Sequence, residues 1–203
     1  MQFYHSLITE KSYELLQNLK RGYRFILIGG WAVYLYTRAL KSKDIDIIVD
    51  YDELAKLKKN FDVFKNDRLK KYEIKTGEFD IDVYLPHYSK LGIPIGEIEK
   101  KTVVRKGFSV PEPEILFLLK LYAWRERRGS AKGWKDELDI FSLAFLPEFD
   151  WDRYQDYIRA YKFKEINLLF LDLVKKTSSI QELKINDQKM SKIRKVILGK
   201  LEK

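Results

Sequence analysis

The sequence predicts an α+β protein, in which a small mixed sheet is followed by a C-terminal helical bundle. Up to residue 111, helical signals alternate with short apolar or alternating runs that are typical of strands. From Pro113 onward, the apolar spacing is helical only. The 203 residues are 45% hydrophobic, which is enough to bury the core of one or two small domains. We therefore expect a first domain at residues 1–111 and a second at residues 112–203.

In the N-terminal half, apolar residues at helical spacing predict helices, and short apolar or alternating runs predict strands. Leu15, Leu16 and Leu19 form the apolar face of the first helix, and Gly22 ends it. Asp52 is expected to cap the third helix. In chain order, the predicted elements are helix 7–20, strand 25–28, helix 31–39, strand 44–49, a helix to about residue 60, and strands 79–85, 102–104 and 108–110.

The C-terminal half is predicted to contain only helices. Pro113 suits the first turn of a helix that runs toward Arg128, and the glycines at 129 and 133 interrupt the helical pattern. Asp150 is a candidate cap for the third helix of this half. The remaining predicted helices cover residues 134–145, 151–161, 163–176 and 187–201.

Composition disfavours several classes of protein. The chain has no cysteine, which excludes disulfides and thiolate metal sites, and its two histidines are His5 and His87. A zinc enzyme or a Ser-His-Asp hydrolase is therefore not expected. Residues 1–11 lack the pattern of a signal peptide, and no run of about 18 apolar residues suggests a membrane helix. These features predict a cytoplasmic protein.

The net charge of +9 is concentrated in two segments. Residues 175–203 hold nine basic residues against three acidic ones, a net charge of +6. A second basic cluster lies between Lys56 and Lys71. Such clusters bind phosphate polymers, RNA among them, but they also occur as solvated helix faces. Both interpretations stay open at this point.

Two predicted strands carry paired carboxylates. Because alternate strand residues share a face, Asp44 and Asp46 project together, and so do Asp80 and Asp82. If the two strands are neighbours, three or four carboxylates converge, and a bound divalent cation would make this arrangement tolerable. Hard oxygen ligands favour magnesium or manganese. The alternative is that each pair lies on the solvent face of an edge strand.

A glycine pair precedes the first acidic strand. Gly29 and Gly30 lie where a buried strand ends and a helix begins. Glycine allows the backbone to approach a phosphate closely, and a helix N-terminus supplies N–H groups and a partial positive charge. We therefore expect this turn to seat a triphosphate. The alternative is an ordinary turn.

At these residues, the sequence resembles the nucleotidyltransferase superfamily that shares its catalytic fold with DNA polymerase β. Gly29, Gly30, Asp44 and Asp46 match the family's Gly-Gly or Gly-Ser turn and its Asp-x-Asp strand. The family's third acid is followed by apolar residues, which favours Asp82, although Asp80 lies on the same face. The resemblance implies that Asp44, Asp46 and Asp82 bind two magnesium ions and are catalytic.

The resemblance extends to about residue 145 and is greatest to the nucleotidyltransferases of abortive-infection and toxin-antitoxin systems. In those proteins, an apolar helix carrying a lysine is followed by a basic loop and a Lys/Arg-Asp-x-x-Asp helix. By position, Lys120 would contact nucleotide phosphate. Lys135, Asp136 and Asp139 would support the site. For Lys120 and Asp139, solvent exposure and ion pairing are the respective alternatives.

The sequence thus predicts a magnesium-dependent enzyme that transfers a nucleoside monophosphate from an NTP such as ATP to a hydroxyl group. The acceptor is RNA, a protein or a small molecule, and the resemblance raises a toxin-like role with an antitoxin partner. The rival prediction is a noncatalytic module that keeps the fold and binds RNA or protein. A purely structural subunit is a third alternative.

Overall fold

The computed structural model describes residues 6–201, so that His5, Glu202 and Lys203 lie outside the described residues. The chain divides into two compact units, Met1–Glu112 and Pro113–Lys203. The first contains a mixed sheet and the second contains helices, which confirms the predicted α+β fold class.

The first unit alternates helices with the strands of one sheet. Its elements are α1 (Ser6–Gly22), β1 (Ile26–Ile28), α2 (Gly29–Thr37), β2 (Ile45–Ile48), α3 (Tyr51–Asn60), β3 (Val63–Asn66), β4 (Lys71–Lys75), β5 (Asp80–Tyr84), α4 (Ile95–Glu99), β6 (Thr102–Arg105) and β7 (Phe108–Pro111).

The seven strands are ordered β3-β4-β5-β2-β1-β7-β6. The pairs β1–β7 and β2–β5 are parallel, and the other pairs are antiparallel. One face of the central strands is apolar, because Leu27, Ile47 and Val83 are cross-strand neighbours and are all fully buried. The opposite face of the same strands carries the carboxylates.

Four features of this unit were not predicted. The strands β3 and β4 and the short helix α4 were missed, and α3 is capped by Asp50 instead of Asp52. The Asp50 carboxylate accepts a hydrogen bond of 2.7 Å from the backbone N–H of Glu53. Asp50 has the extended backbone that an N-cap requires, whereas Asp52 already lies inside the helix.

The second unit contains α5 (Pro113–Arg127), α6 (Ala131–Ala144), α7 (Trp151–Ala160), α8 (Lys164–Lys176) and α9 (Asp187–Leu201), with a 3₁₀ turn at Gln181–Leu183. Its core is aromatic, since Phe117 lies 5.0–5.3 Å, centroid to centroid, from the rings of Phe149, Tyr154 and Phe170. Asp150 caps α7, as predicted. In contrast, α6 starts three residues before the predicted position because Ser130 caps it.

The basic C-terminal segment includes a packed helix. Met190 and Ile197 on α9 are buried, and Arg194 donates to the backbone carbonyl of Val174. Lys189 and Lys192 project from the exposed side. Across residues 6–201, no helix combines the length and apolar character needed to cross a membrane.

Candidate active site

The acidic strands are neighbours, as the sequence analysis required for a shared site. Strands β2 and β5 are parallel, and their register pairs Asp46 directly with Asp82. Ile28, the last residue of β1, is the partner of Asp46 on the other side. The two carboxylates therefore project from the same face, one strand apart, beside the end of β1.

A third acidic residue extends this row. Glu73 on β4 is the antiparallel partner of Asp82, so Asp46, Asp82 and Glu73 lie side by side on three adjacent strands. The sequence patterns predict no role for Glu73 and indicate Lys71 only as part of a basic cluster. The alternation of Lys71–Lys75 was the available signal for the strand that carries both residues.

The glycine turn approaches this row closely. Gly29 has φ +66°, a left-handed conformation that favours glycine. A β-carbon on Gly29 would lie 2.0 Å from Oδ2 of Asp46 and 2.8 Å from its Cβ. Gly29 also begins α2, and no side chain within the described residues caps that N-terminus at Ile28. Helix N–H groups and the Asp46 carboxylate thus meet at one place.

The surroundings of Asp82 change its acidity strongly. Burial, followed by the nearby charge of Asp46, raises the pKa of Asp82 to about 6, although Lys71 opposes the shift. Its Oδ2 accepts a hydrogen bond of 2.6 Å from Lys71 Nζ. Its Oδ1 is buried and has no hydrogen-bond partner. A buried carboxylate oxygen without a partner is costly, and it is available to a ligand.

The other candidate acids have different surroundings. Oδ1 of Asp44 accepts a hydrogen bond of 3.2 Å from the backbone N–H of Asp80, which ties the start of β2 to β5. The carboxylate of Asp80 is bound by Lys75 Nζ at 2.7 Å and is more exposed than that of Asp82. Oδ1 of Asp46 accepts from the hydroxyl of Tyr84 at 3.3 Å. The register therefore favours Asp82 over Asp80 as the partner of Asp46.

The donor set suits a hard divalent cation. Asp44, Asp46 and Asp82 offer carboxylate oxygens, the unpartnered Oδ1 of Asp82 among them. Lys71 already places a positive charge at this position. Within residues 6–201, no three acidic or histidine side chains are yet arranged so that they could hold a metal ion. A cation that binds Asp82 would either use the unpartnered Oδ1 or compete with Lys71 for Oδ2.

In the second unit, the remaining predicted site residues form a buried ionic cluster. Lys120 Nζ lies 2.7 Å from Oδ2 of Asp139 and 3.3 Å from Oδ1 of Asp136. Lys135 Nζ lies 3.6 Å from Asp139, and Arg127 Nε lies 2.6 Å from Oδ2 of Asp136. Lys120 and Asp139 are almost fully buried. The structure brings all four predicted residues together and pairs Lys120 with two carboxylates.

Comparisons with known proteins found solved structures with a similar fold. No protein-family model matches the chain, and no curated protein does. A solved structure of a Helicobacter pylori protein proposed to be a nucleotidyltransferase is 18% identical, with a TM-score of 0.52, and the match covers 97% of this chain and 96% of that chain. ANT(2″)-Ia in complex with adenylyl-2″-tobramycin is 13% identical, with a TM-score of 0.54, covering 79% and 99%. The chain is thus similar in fold to nucleotidyltransferases.

Proposed function

We propose that this chain is a magnesium-dependent nucleotidyltransferase, which moves a nucleoside monophosphate from an NTP to a hydroxyl group and releases pyrophosphate. The observation that supports this function best is the meeting of Gly29, Asp46 and Asp82 on one face of the central strands, beside the end of β1. The fold agrees with it. We assign the chemistry to the first domain, residues 1–111, and a supporting role to the helical domain, residues 112–203.

Asp44, Asp46 and Asp82 are the residues that would hold the cation. Bound magnesium, or manganese, would neutralise charge on the triphosphate and orient the attacking and leaving oxygens for in-line displacement. Gly29 and Gly30 would contact the triphosphate through backbone N–H groups at the start of α2. By the resemblance, Lys120 is assigned to nucleotide phosphate, Lys135, Asp136 and Asp139 are assigned to its support, and Asp80 is assigned to the support of Asp82.

In the transfer step, the acceptor hydroxyl oxygen forms a bond to the α-phosphorus, and the bond from that phosphorus to the pyrophosphate oxygen breaks. The hydroxyl proton must leave as the new bond forms, and we assign its removal to Asp82.

ATP is the proposed nucleotide, since the fold neighbour ANT(2″)-Ia was solved in complex with adenylyl-2″-tobramycin. The acceptor hydroxyl belongs to RNA, a protein or a small molecule, and the exposed lysines of α9 favour RNA by charge complementarity. A toxin-like role, an antitoxin partner and a cytoplasmic location rest on the sequence features and the resemblance alone.

A second candidate function is a noncatalytic binding module with the same fold. The pairing of Lys71 with Asp82 favours it, because this ion pair compensates the acidic row without a metal. The two functions differ in one measurable respect. An enzyme must bind a divalent cation and NTP at Asp46 and Asp82, whereas a binding module has no such need.

The deciding experiment measures thermal stability and nucleotide transfer together. Magnesium with ATP should raise the melting temperature of the wild type, since ligands that bind the native state stabilise it. In the Asp44→Asn/Asp46→Asn variant this gain should disappear, while the metal-free protein folds as well as the wild type or better because charge repulsion is relieved. Transfer of α-labelled nucleotide from each NTP to total RNA and to protein should require both aspartates. If no ligand stabilises the wild type and no label is transferred, the noncatalytic function is the correct one.

A further inference from the structure

We propose that Lys71 competes with the divalent cation for the carboxylate of Asp82. When the cation binds Asp82, the Lys71 ammonium group pairs with Glu73 instead. This inference concerns two residues that neither the sequence motifs nor the fold assigns, and it rests on the proposed function of the acidic row. It names Lys71 and Glu73 as positioning residues that set the metal affinity of the site.

The ammonium group of Lys71 bridges two members of the row. Its Nζ lies 2.6 Å from Oδ2 of Asp82 and 3.0 Å from Oε1 of Glu73. All three side chains are largely buried, with exposed fractions of 13% for Lys71, 15% for Asp82 and 14% for Glu73. Charges this shielded from water interact strongly, and removing one partner leaves the others uncompensated.

Lys71 also remains charged in these surroundings. Its Nζ lies between two carboxylates, 2.6 Å from Asp82 and 3.0 Å from Glu73, and opposite charges at this distance favour the charged form of a lysine. A cation that binds Asp82 must then displace this ammonium ion or share the carboxylate with it.

Glu73 provides an alternative partner for the Lys71 ammonium group. Its carboxylate already accepts hydrogen bonds from Lys71 and from Asn66, whose Nδ2 lies 3.1 Å from Oε1. Lys71 can thus release Asp82 and keep a partner of opposite charge, so its displacement does not bury an unpaired cation. Asp82 in turn would be free to pair with the incoming cation.

Lys75 is a matched control on the same strand. It lies four residues from Lys71, an even spacing, so it projects from the same face of β4. Its Nζ is 2.7 Å from Asp80 and 3.5 Å from Glu73, and its side chain is 51% exposed. Substitution of Lys75 removes the same charge from the same strand without disturbing the bond to Asp82.

The test is calorimetric titration of the full-length protein with magnesium alone, and a parallel titration with manganese followed by electron paramagnetic resonance. Lys71→Met should bind the metal about tenfold or more tightly than the wild type, because a charge-assisted hydrogen bond no longer competes. Lys75→Met should change the affinity by less than about threefold, since exposed charges are screened. If Lys71→Met binds no more tightly than the wild type, or if Lys75→Met gains as much, direct competition is wrong.

Glu73→Gln is expected to act in the opposite direction. Without the Glu73 carboxylate, Lys71 has no second partner and holds Asp82 more firmly, so metal binding should weaken several-fold. In the Lys71→Met background, Glu73→Gln should not weaken metal binding, because there is no ammonium group that needs Glu73 as a partner. An equal loss in both backgrounds would instead make Glu73 a direct metal ligand and overturn its assigned role.

Two readouts separate this inference from the proposed function. If the metal binds the wild type and Lys71→Met equally well and transfer is observed, the function stands and the competition is wrong. If neither the wild type nor any variant binds metal, the proposed function and the competition by Lys71 are both wrong. Circular dichroism confirms folding of each variant, and Lys71→Gln replaces Lys71→Met if the latter does not fold.

Discussion

Gly29 and Asp46 lie so close across β1 and β2 that there is no room for a β-carbon on Gly29. Such an atom would be 2.6 Å from Cγ and 2.8 Å from Cβ of Asp46, so rotation of the carboxylate alone cannot relieve the contact. The absence of a side chain at Gly29 therefore allows the Asp46 carboxylate to occupy its position beside the turn. This relationship connects the two motifs that the sequence shows separately.

Gly29→Ala should accordingly displace Asp46 and weaken the site. The left-handed backbone at φ +66° adds a cost of about 1 to 3 kcal/mol for a non-glycine residue. We expect a lower melting temperature and loss of the stabilisation by magnesium with ATP, both measured in thermal melts. Gly96→Ala is the control, because a β-carbon at Gly96 meets nothing within 4 Å. Unchanged ligand stabilisation in Gly29→Ala would show that the turn does not position Asp46.

The register of β2 and β5 separates Asp82 from Asp80. Asp82 is the direct partner of Asp46, whereas Asp80 lies opposite Lys75. Asp82→Asn should abolish transfer of labelled nucleotide, since loss of a metal ligand and base removes several kcal/mol of transition-state stabilisation. Asp80→Asn should retain a measurable rate. The reverse ranking would move the third acid to Asp80.

Metal-free stability should depend on pH through Asp82. Its pKa is raised from 3.8 to about 6 in the folded protein, so the folded state binds the proton more tightly than the unfolded chain does. The resulting stability is present in full below pH 3.8 and is lost as the pH rises through about 6. The loss amounts to at most about 3 kcal/mol relative to Asp82→Asn, which cannot ionise.

Urea unfolding in the presence of EDTA, from pH 4 to pH 8, measures this difference. The free energy of unfolding of the wild type should fall relative to that of Asp82→Asn as the pH rises. Asp80→Asn, on the same strand and face, should follow the wild type instead. A constant difference between wild type and Asp82→Asn across the range would contradict the raised pKa.

Lys120 should prove important for stability. Its Nζ contacts Asp136 and Asp139, and Lys120→Met would leave these buried carboxylates without that cation. Breaking a buried ion pair in this way costs about 3 to 5 kcal/mol. Urea unfolding should show this loss, whereas Lys132→Met, at an exposed position on α6, should be nearly neutral. A stable Lys120→Met protein that no longer binds NTP would make phosphate binding its main role.

The exposed lysines of α9 provide the test for an RNA acceptor. Truncation after Lys176 would remove Met190 and Ile197 from the packed second unit, so charge removal is the better variant. Lys189→Gln, Lys192→Gln and Lys195→Gln together should weaken binding of single-stranded RNA and reduce its logarithmic salt slope by up to about 2. Lys58→Gln/Lys59→Gln on α3 is the comparison variant, and it removes two charges instead of three from another exposed basic helix. An unchanged slope in the α9 variant would place the RNA elsewhere.

Local patterns were sufficient for much of the first unit. The period of two in residues 44–49 and 79–85 indicated that Asp44 and Asp46, and likewise Asp80 and Asp82, share a face, because alternation is a property of the strand itself. The helical spacing after Pro113 predicted the helical second half for the same reason. Errors at helix ends, such as Asp52 for Asp50, arise because a cap depends on backbone angles that neighbouring acidic residues do not distinguish.

The sequence does not predict the β3–β4 hairpin, because the composition of this segment is typical of a solvated basic surface. Lys71 and Glu73 are polar, and their strand is recognisable only when its pairing with β5 is known. The same holds for the ionic cluster of Lys120, whose partners lie 16 and 19 positions further along the chain.

The sequence by itself determined which residues could be catalytic, since residue type and alternation are local properties of the chain. Only the tertiary structure decided that Asp46 is the cross-strand partner of Asp82 and that Gly29 lies against Asp46. It also decided that Lys71 lies between Asp82 and Glu73. Strand order and register are set by burial of the apolar face, which includes Leu27, Ile47 and Val83, over contacts distant in sequence. The local alternation opposes a one-residue slip, because it would exchange the two faces. A two-residue slip would pair Asp46 with Asp80 and keep the same faces, so only the packed sheet excludes it.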